Sequence, residues 1–167
     1  MSTFSSMQST IQMLCRQVEA LNPPIRPRFR PPASTDDIVR AEQALDLEFP
    51  DALKFLLLCH NGQDVYDKST YKYYDPLFPM MRQPHNGALY SHYWLAGTNE
   101  IVRFLDEYEC FVDEVFATIG PTCYHDQFLC FTKTENADCL ALDMLPQPGG
   151  SVGQVVIFST QPPEIIV

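Results

Sequence analysis

The chain has 167 residues, of which 46% are hydrophobic and 19% charged, a composition typical of a globular domain that buries its own core. Its 11 Lys and Arg face 21 Asp and Glu, which gives a formal net charge of −10. Because nucleic acids and anionic lipids are bound through Lys and Arg, this charge excludes both as ligands and favours a basic protein partner.

The start of the chain lacks the features of a signal peptide: it has no positive charge before Arg16 and no long apolar run. The most apolar stretch, 55–59, is far shorter than the roughly 20 residues of a membrane span. We therefore expect a cytoplasmic protein outside the membrane, with reduced thiols. No two cysteines have Cys-x-x-Cys spacing and the histidines do not cluster, so we expect no metal and no cofactor. The six cysteines are Cys15, Cys59, Cys110, Cys123, Cys130 and Cys139.

Apolar residues recur every three or four positions from Phe4 to Leu21, which predicts an amphipathic helix over 4–21. Its apolar stripe either packs on the domain or forms the seam of a homodimer. Five prolines alternate with three arginines between residues 22 and 33, which favours an extended arm. We interpret residues 1–31 as an N-terminal helix followed by a Pro/Arg arm.

Two helices are predicted next. Ser34 and Asp37 have the spacing of a capping box, and apolar residues then follow with helical period to about residue 46. Pro50 and Asp51 suit the first turn of a second helix, and Asn61-Gly62 can supply a left-handed stop.

The order of these features resembles the opening block of the SUKH superfamily, which includes bacterial toxin-immunity proteins and fungal regulators of cell-wall synthesis of the SMI/KNR type. Residues 94–102 resemble the second block of that family, and 153–158 resemble its closing strand. The resemblance implies one SUKH-like α+β domain over 32–167 that binds a protein partner and is not an enzyme. The residues of the opening block are Pro32 to Thr35, Ile38, Glu42, Leu45, Phe49-Pro50, Leu53, Phe55-Leu56 and Asn61-Gly62.

Residues 63–93 form a longer insert than the family pattern has, and they hold most of the tyrosines. Tyrosine offers a large, rigid contact surface and is enriched in protein interfaces. We therefore predict either a partner-binding insert or an elaborated hairpin that covers the core. The six tyrosines of the insert are Tyr66, Tyr71, Tyr73, Tyr74, Tyr90 and Tyr93.

Beyond the insert, a helix is predicted from a Thr98 cap to about residue 108. Short apolar runs at 115–119, 128–131, 139–142 and 155–158 read as strands. Helices followed by consecutive strands predict the α+β class, with a mostly antiparallel, meandering sheet.

An acidic run extends from Glu100 to Glu114 and contains one basic residue, Arg103. It is either a solvated helix face and loop or an anionic patch that attracts a basic partner. The partner-binding candidates in it are Asp106, Glu107, Glu109, Asp113 and Glu114.

Catalysis has little support. Cys123 and His125 lie near Asp126, but neighbouring strand residues point to opposite faces, and a turn explains the segment. No phosphate loop, nucleophile elbow or zinc motif is found. The family resemblance implies a non-enzymatic immunity protein of a polymorphic toxin system, which neutralises a cytosol-acting nuclease, deaminase or nucleotide-degrading enzyme. The alternatives are an interaction scaffold of the SMI/KNR type, in which the N-terminal helix and the Pro/Arg arm recruit partners, and, third, a cysteine hydrolase.

Overall fold

The structure, a computed structural model, describes residues 27–70, 72–76, 78–82, 90–104, 127–134, 139–160 and 163–166, together with Ser9, Met13 and Arg16. Those three single residues are helical and exposed. The apolar stripe of the predicted N-terminal helix lies outside the described residues, so the dimer seam stays a prediction.

Three helices follow in the described ranges: α1 (Thr35–Leu45), α2 (Asp51–Cys59) and α3 (98–104). The predicted capping box begins α1. Ser34 Oγ accepts from the Asp37 N–H at 3.1 Å, and the Asp37 carboxylate accepts from the Ser34 N–H at 2.9 Å. Two of the first free amides of the helix are thereby satisfied.

Glu42 joins α1 to α2. Its Oε1 accepts a hydrogen bond from the Phe49 N–H at 2.7 Å and lies 2.9 Å from Lys54 Nζ. Phe49 is 1% exposed, so its backbone amide needs this acceptor inside the protein. The internal Glu of the opening pattern therefore fixes the turn between the two helices.

The remaining described elements are strands, all paired antiparallel. They are β1 (Tyr66–Asp67), β2 (Lys72–Tyr73), β3 (Phe78–Arg82), β4 (Tyr90–Leu95), β5 (Phe128–Cys130), β6 (Thr132–Lys133), β7 (Cys139–Asp143), β8 (Gln154–Thr160) and β9 (Pro163–Ile166). This confirms the α+β class, and three of the predicted strands match β5, β7 and β8. The predicted strand at 115–119 lies outside the described residues.

The strands belong to three small sheets, ordered β1-β2, β3-β4-β6 and β5-β7-β8-β9, and not to one meander. The segment 128–133 causes the division, because β5 pairs with β7 whereas β6 pairs with β4. The Phe131 N–H still donates to the Leu140 carbonyl at 3.1 Å between the two. The chain therefore changes sheets within a few residues.

The core lies where the helices meet the sheets. The core residues of the helices, among them Leu53 and Leu57 of α2 and Ile101 of α3, pack in one buried cluster with Leu129 of β5. Full burial of each such side chain contributes about 1.5–3 kcal/mol relative to exposure.

A close contact between two glycines joins α2 to α3. Gly62 has φ +86°, and a Cβ on it would lie 2.5 Å from the Gly97 nitrogen.

The prediction that Asn61-Gly62 stops α2 needs correction. The helix ends at Cys59, with the His60 N–H donating to the Leu56 carbonyl at 2.8 Å. The left-handed turn follows later and allows this backbone approach.

Two of the cysteines lie side by side: Cys130 at the end of β5 and Cys139 at the start of β7 have their Cα atoms 5.8 Å apart. Both residues are buried. The antiparallel pairing of β5 with β7 brings the two cysteines together, which their sequence spacing did not indicate.

Candidate partner-binding surface

Three of the predicted tyrosines lie together on the insert. Tyr66 and Tyr73 are directly paired across the β1–β2 hairpin, with ring centroids 6.2 Å apart. They are 45% and 63% exposed. Tyr74 follows and is half-buried beneath the Arg28 guanidinium, which lies 5.4 Å from its ring centroid. We call Arg28, Tyr66, Tyr73 and Tyr74 the tyrosine surface.

Trp94 of β4 supports this surface from below. It is 1% exposed, and its indole Nε1–H donates to the Tyr74 carbonyl at 3.1 Å. The ring of Tyr73 lies 6.2 Å from the ring of Trp94. A tryptophan that is buried on its apolar face and satisfied at its N–H holds the hairpin to the core.

Gln63 is the second anchor and is fully buried. Its N–H donates to the Leu95 carbonyl at 2.9 Å, and its Oε1 accepts from the Leu95 N–H at 3.3 Å. Its Nε2 donates to the Asp75 carbonyl at 2.5 Å. Because buried amides are costly when unpaired, this network fixes the start and end of the hairpin relative to β4.

The Pro/Arg arm forms the other side of the surface. Residues 28–33, which we call the strap, run along 57–64 through backbone hydrogen bonds of 2.9–3.0 Å, including those of Arg28 with Asp64, Arg30 with Gly62 and Ala33 with Leu57. The ring of Phe29 stacks on His60 at 4.3 Å and 16°. Burial lowers the pKa of His60, partly offset by a hydrogen bond between its ring and the Arg30 backbone.

Arg30 connects the strap to α3. Its two terminal nitrogens donate to both carboxylate oxygens of Glu100 at 2.8 and 2.7 Å, and its Nε donates to Asp64 at 3.0 Å. Lys133 of β6 also pairs with Glu100, and the Gly97 N–H donates to the same carboxylate at 2.6 Å. One carboxylate thus joins the strap, α3 and β6.

The pKa values of this cluster follow from burial and pairing. Burial alone would raise the pKa of Glu100, but hydrogen bonds from Arg30 and Lys133 and the Lys133 charge outweigh it, so the pKa is lowered. For Lys133, burial outweighs the pairing and lowers the pKa. Glu100 therefore stays ionised in the folded protein. Although it begins the acidic run of the sequence, its carboxylate is paired with Arg30 and Lys133.

An open groove lies between the strap and β2. It has a volume of about 670 Å³ and is lined by Pro27, Arg28, Phe29, Tyr73, Tyr74 and Asp75. A smaller groove of about 230 Å³ lies between α1 and α3, lined in part by Arg40, Ala44 and Arg103. The larger groove is continuous with the tyrosine surface.

The other predicted site residues fall elsewhere. Tyr93 is 1% exposed and contributes to the core, so its side chain cannot contact a partner and we remove it from the predicted partner-binding residues. Tyr90 is the first residue of β4. The remaining candidates lie outside the described residues: Tyr71, Asp106, Glu107, Glu109, Asp113 and Glu114, and with them Cys123, His125 and Asp126 of the hydrolase alternative. Among the described residues, no group of three His, Cys, Asp or Glu could hold a metal ion.

Sequence reasoning missed the strap residues Arg28, Phe29 and Arg30 as parts of the surface, and it missed Gln63. Only the alternation of proline with arginine marked the strap. The burial of Tyr93 did have a signal, since residues 93–96 form a continuous apolar run of the kind found in strands covered on both faces.

Comparison with known proteins defines the class. The model of the SMI1/KNR4 family (SUKH-1) matches residues 32–167, which is most of the chain. The chain therefore belongs to the SMI1/KNR4 family, and the resemblance drawn from the opening block is confirmed. The domains of this family bind partner proteins, and the family, which includes immunity proteins, is generally non-enzymatic. A search of curated proteins found no match to the chain.

One further observation concerns membranes: within the part of the chain that the structure describes, every helix is too short or too polar to cross a bilayer.

Proposed function

We propose that this protein is a non-enzymatic immunity protein of the cytoplasm that binds a cognate basic toxin and occludes its active site. The toxin classes that fit are nucleases, nucleic-acid deaminases and nucleotide-degrading enzymes, because these act in the cytosol. The observation that carries the proposal is the tyrosine surface, with Tyr66 and Tyr73 exposed on a hairpin whose base is buried. Tyrosine and arginine are the residue types that most often dominate binding energy in interfaces.

The rigidity of the surface supports tight binding. A hairpin with two residues in each strand is marginal on its own, but Gln63 and Trp94 bond this one to β4. Side chains that are ordered before binding lose less conformational entropy in the complex. The tyrosine surface is therefore preorganised for a partner.

The charge supports a basic partner. With a net charge of −10, the chain attracts a cationic protein at long range. In this proposal the acidic run from Asp106 to Glu114 steers the toxin, and the tyrosine surface supplies most of the affinity. Carboxylates can also occupy the positions that substrate phosphates take in a nuclease.

The scaffold alternative assigns partner recruitment to the N-terminal helix and the Pro/Arg arm. Residues 28–33 of that arm are bonded to the domain, so they form one wall of the tyrosine surface rather than a free recruiting segment. For the arm, this observation favours the immunity function over the scaffold.

Co-expression tests the proposal. Cells that express a toxin encoded beside this gene should survive when the wild-type protein is present. A double variant, Tyr66→Ala with Tyr73→Ala, should rescue less at equal protein level, whereas Val155→Ala should rescue fully, because Val155 is an exposed apolar residue of β8. Failure of the wild-type protein to rescue would contradict the immunity function.

A further inference from the structure

At the groove between the strap and β2, the protein binds one of its own cations, the Arg28 guanidinium, on a tyrosine ring. Arg28 lies over the ring of Tyr74 at 5.4 Å, and its Nε lies 3.6 Å from the Asp64 carboxylate. A tyrosine face together with an aspartate thus holds a guanidinium. The Arg28 side chain is 63% exposed, so this contact forms at the surface.

The lining of the groove also includes a second tyrosine and an aspartate. Tyr73 and Asp75 both line it, and both are exposed. Tyr73 contacts aromatic rings, those of Tyr66 and Trp94, but among the described residues no cation stacks on it. The rings of Tyr66 and Trp94 steady the Tyr73 ring without covering most of it.

We propose that Tyr73 and Asp75 form the subsite that receives an arginine or lysine side chain of the basic partner. This inference rests on the proposed function for the identity of the partner, but the cation-binding chemistry belongs to the groove itself. A cation over a tyrosine face is attracted by the quadrupole of the ring, and a nearby carboxylate adds to that attraction.

Charge complementarity argues for a cationic occupant. The chain carries a net charge of −10, so a basic partner is the one that it attracts. Among the described residues that line the groove, Arg28 is the one cation, and Asp64 partly offsets its charge at 3.6 Å. Removal of the Arg28 charge should therefore strengthen cation binding at Tyr73, whereas an anion-binding groove would be weakened by it.

Three capped tripeptides test the subsite without the toxin. The full chain is titrated with Ac-Gly-Arg-Gly-NH2, with its neutral citrulline counterpart and with Ac-Gly-Glu-Gly-NH2, while NMR follows the Tyr73 ring and the Asp75 amide. The arginine peptide should bind in the millimolar range and about threefold more tightly than the citrulline peptide. Equal binding of these two peptides, or preferred binding of the glutamate peptide, would overturn the proposal.

Variants of the groove residues show where the arginine peptide binds. Tyr73→Leu should weaken binding of the arginine peptide about threefold, and Tyr73→Phe should retain it, because only the leucine variant loses the aromatic face. Arg28→Gln should tighten it. The control is Leu145→Ala, since Leu145 is also an exposed large side chain but does not line the groove or contact Tyr73. A similar loss for Leu145→Ala and Tyr73→Leu would place the peptide outside the proposed subsite.

The rescue assay separates this inference from the proposed function. If the wild-type protein rescues poisoned cells and Tyr73→Leu rescues equally at limiting protein, the partner does not use the subsite and the inference is wrong, while the immunity function stands. If the wild-type protein does not rescue but the arginine peptide binds at Tyr73, the immunity function is wrong and the cation-binding chemistry of the groove stands.

Discussion

Arg30 and Glu100 lie 70 positions apart in the sequence and form a two-bond ion pair, with N···O distances of 2.8 and 2.7 Å. The pair connects the strap to the start of α3, and Lys133 joins it from β6. Because the strap also forms one wall of the groove, this pair positions part of the candidate binding surface.

Replacement of the shared carboxylate should destabilise the protein. Glu100→Gln leaves the half-buried charges of Arg30 and Lys133 with weaker partners, and we expect a loss of about 2 kcal/mol in the free energy of unfolding. Urea denaturation measures this loss. Glu48→Gln is the control, since Glu48 pairs with Lys54 but is 87% exposed, and it should change the stability by less than about 0.5 kcal/mol. Equal effects of the two variants would contradict the role assigned to Glu100.

The contribution of Glu100 should depend on pH. Its pKa in the folded protein is lower than the ordinary 4.5, so the folded state binds fewer protons than the unfolded state in that range. The ionised Glu100 carboxylate therefore stabilises the folded state fully above pH 4.5, and this stabilisation is lost as the pH falls through the lowered pKa. The difference in unfolding free energy between wild type and Glu100→Gln should stay constant from about pH 7 to pH 5 and shrink in more acidic buffer. A difference that grows on acidification would reverse the sign that we assign.

Gly62 should tolerate no side chain. Gly62→Ala places a Cβ 2.5 Å from the Gly97 nitrogen at φ +86°, so it carries both a backbone strain and a clash. Gly149→Ala is a matched control, because Gly149 has φ +100° but nothing within 4 Å of the added Cβ. We expect about 1 kcal/mol of destabilisation for Gly149→Ala and at least about 2 kcal/mol more for Gly62→Ala, measured by urea denaturation. Similar losses for both would show that the close approach to Gly97 is unimportant.

The acidic run should control the association rate with the toxin. Replacing Asp106, Glu107, Asp113 and Glu114 by Asn and Gln should slow association about tenfold at low salt and flatten its salt dependence, with little change in dissociation. Stopped-flow mixing measures both rates.

The control for the acidic run removes the same number of charges elsewhere. Asp36, Asp46, Glu48 and Asp51 are exposed acids in and around α1 and α2, and their replacement by Asn and Gln removes the same number of negative charges. If the two variants slow association to the same extent, the net charge of the chain steers the toxin and the run has no special role.

The sequence was sufficient where the signals were local. The capping box of Ser34 and Asp37 predicted the start of α1 correctly, and short apolar runs predicted β5, β7 and β8. The family resemblance placed the opening block on the right elements. These features depend on residues a few positions apart, which a single sequence displays directly.

Long-range contacts were not predictable in this way. The pair of Arg30 with Glu100, the Gln63 network and the docking of the strap all join distant segments, and none has a local pattern. The same reason explains the proximity of Cys130 to Cys139 and the division of the strands into three sheets. For the candidate site, the sequence predicted tyrosine as the important residue type, but the exposure of Tyr73 and the burial of Tyr93 depend on packing.

The central claim is that the tyrosine surface supplies the affinity for the toxin, and the dissociation rate of Tyr73→Ala tests it most directly. Tyr73 is 63% exposed and supported by Trp94, and truncation of such an anchor should speed dissociation about tenfold, equivalent to about 1.4 kcal/mol. Thermal melts would first establish that Tyr73→Ala and the control Val155→Ala are folded. The account predicts tenfold faster dissociation for Tyr73→Ala and the wild-type rate for Val155→Ala. A folded Tyr73→Ala variant that dissociates at the wild-type rate would contradict it.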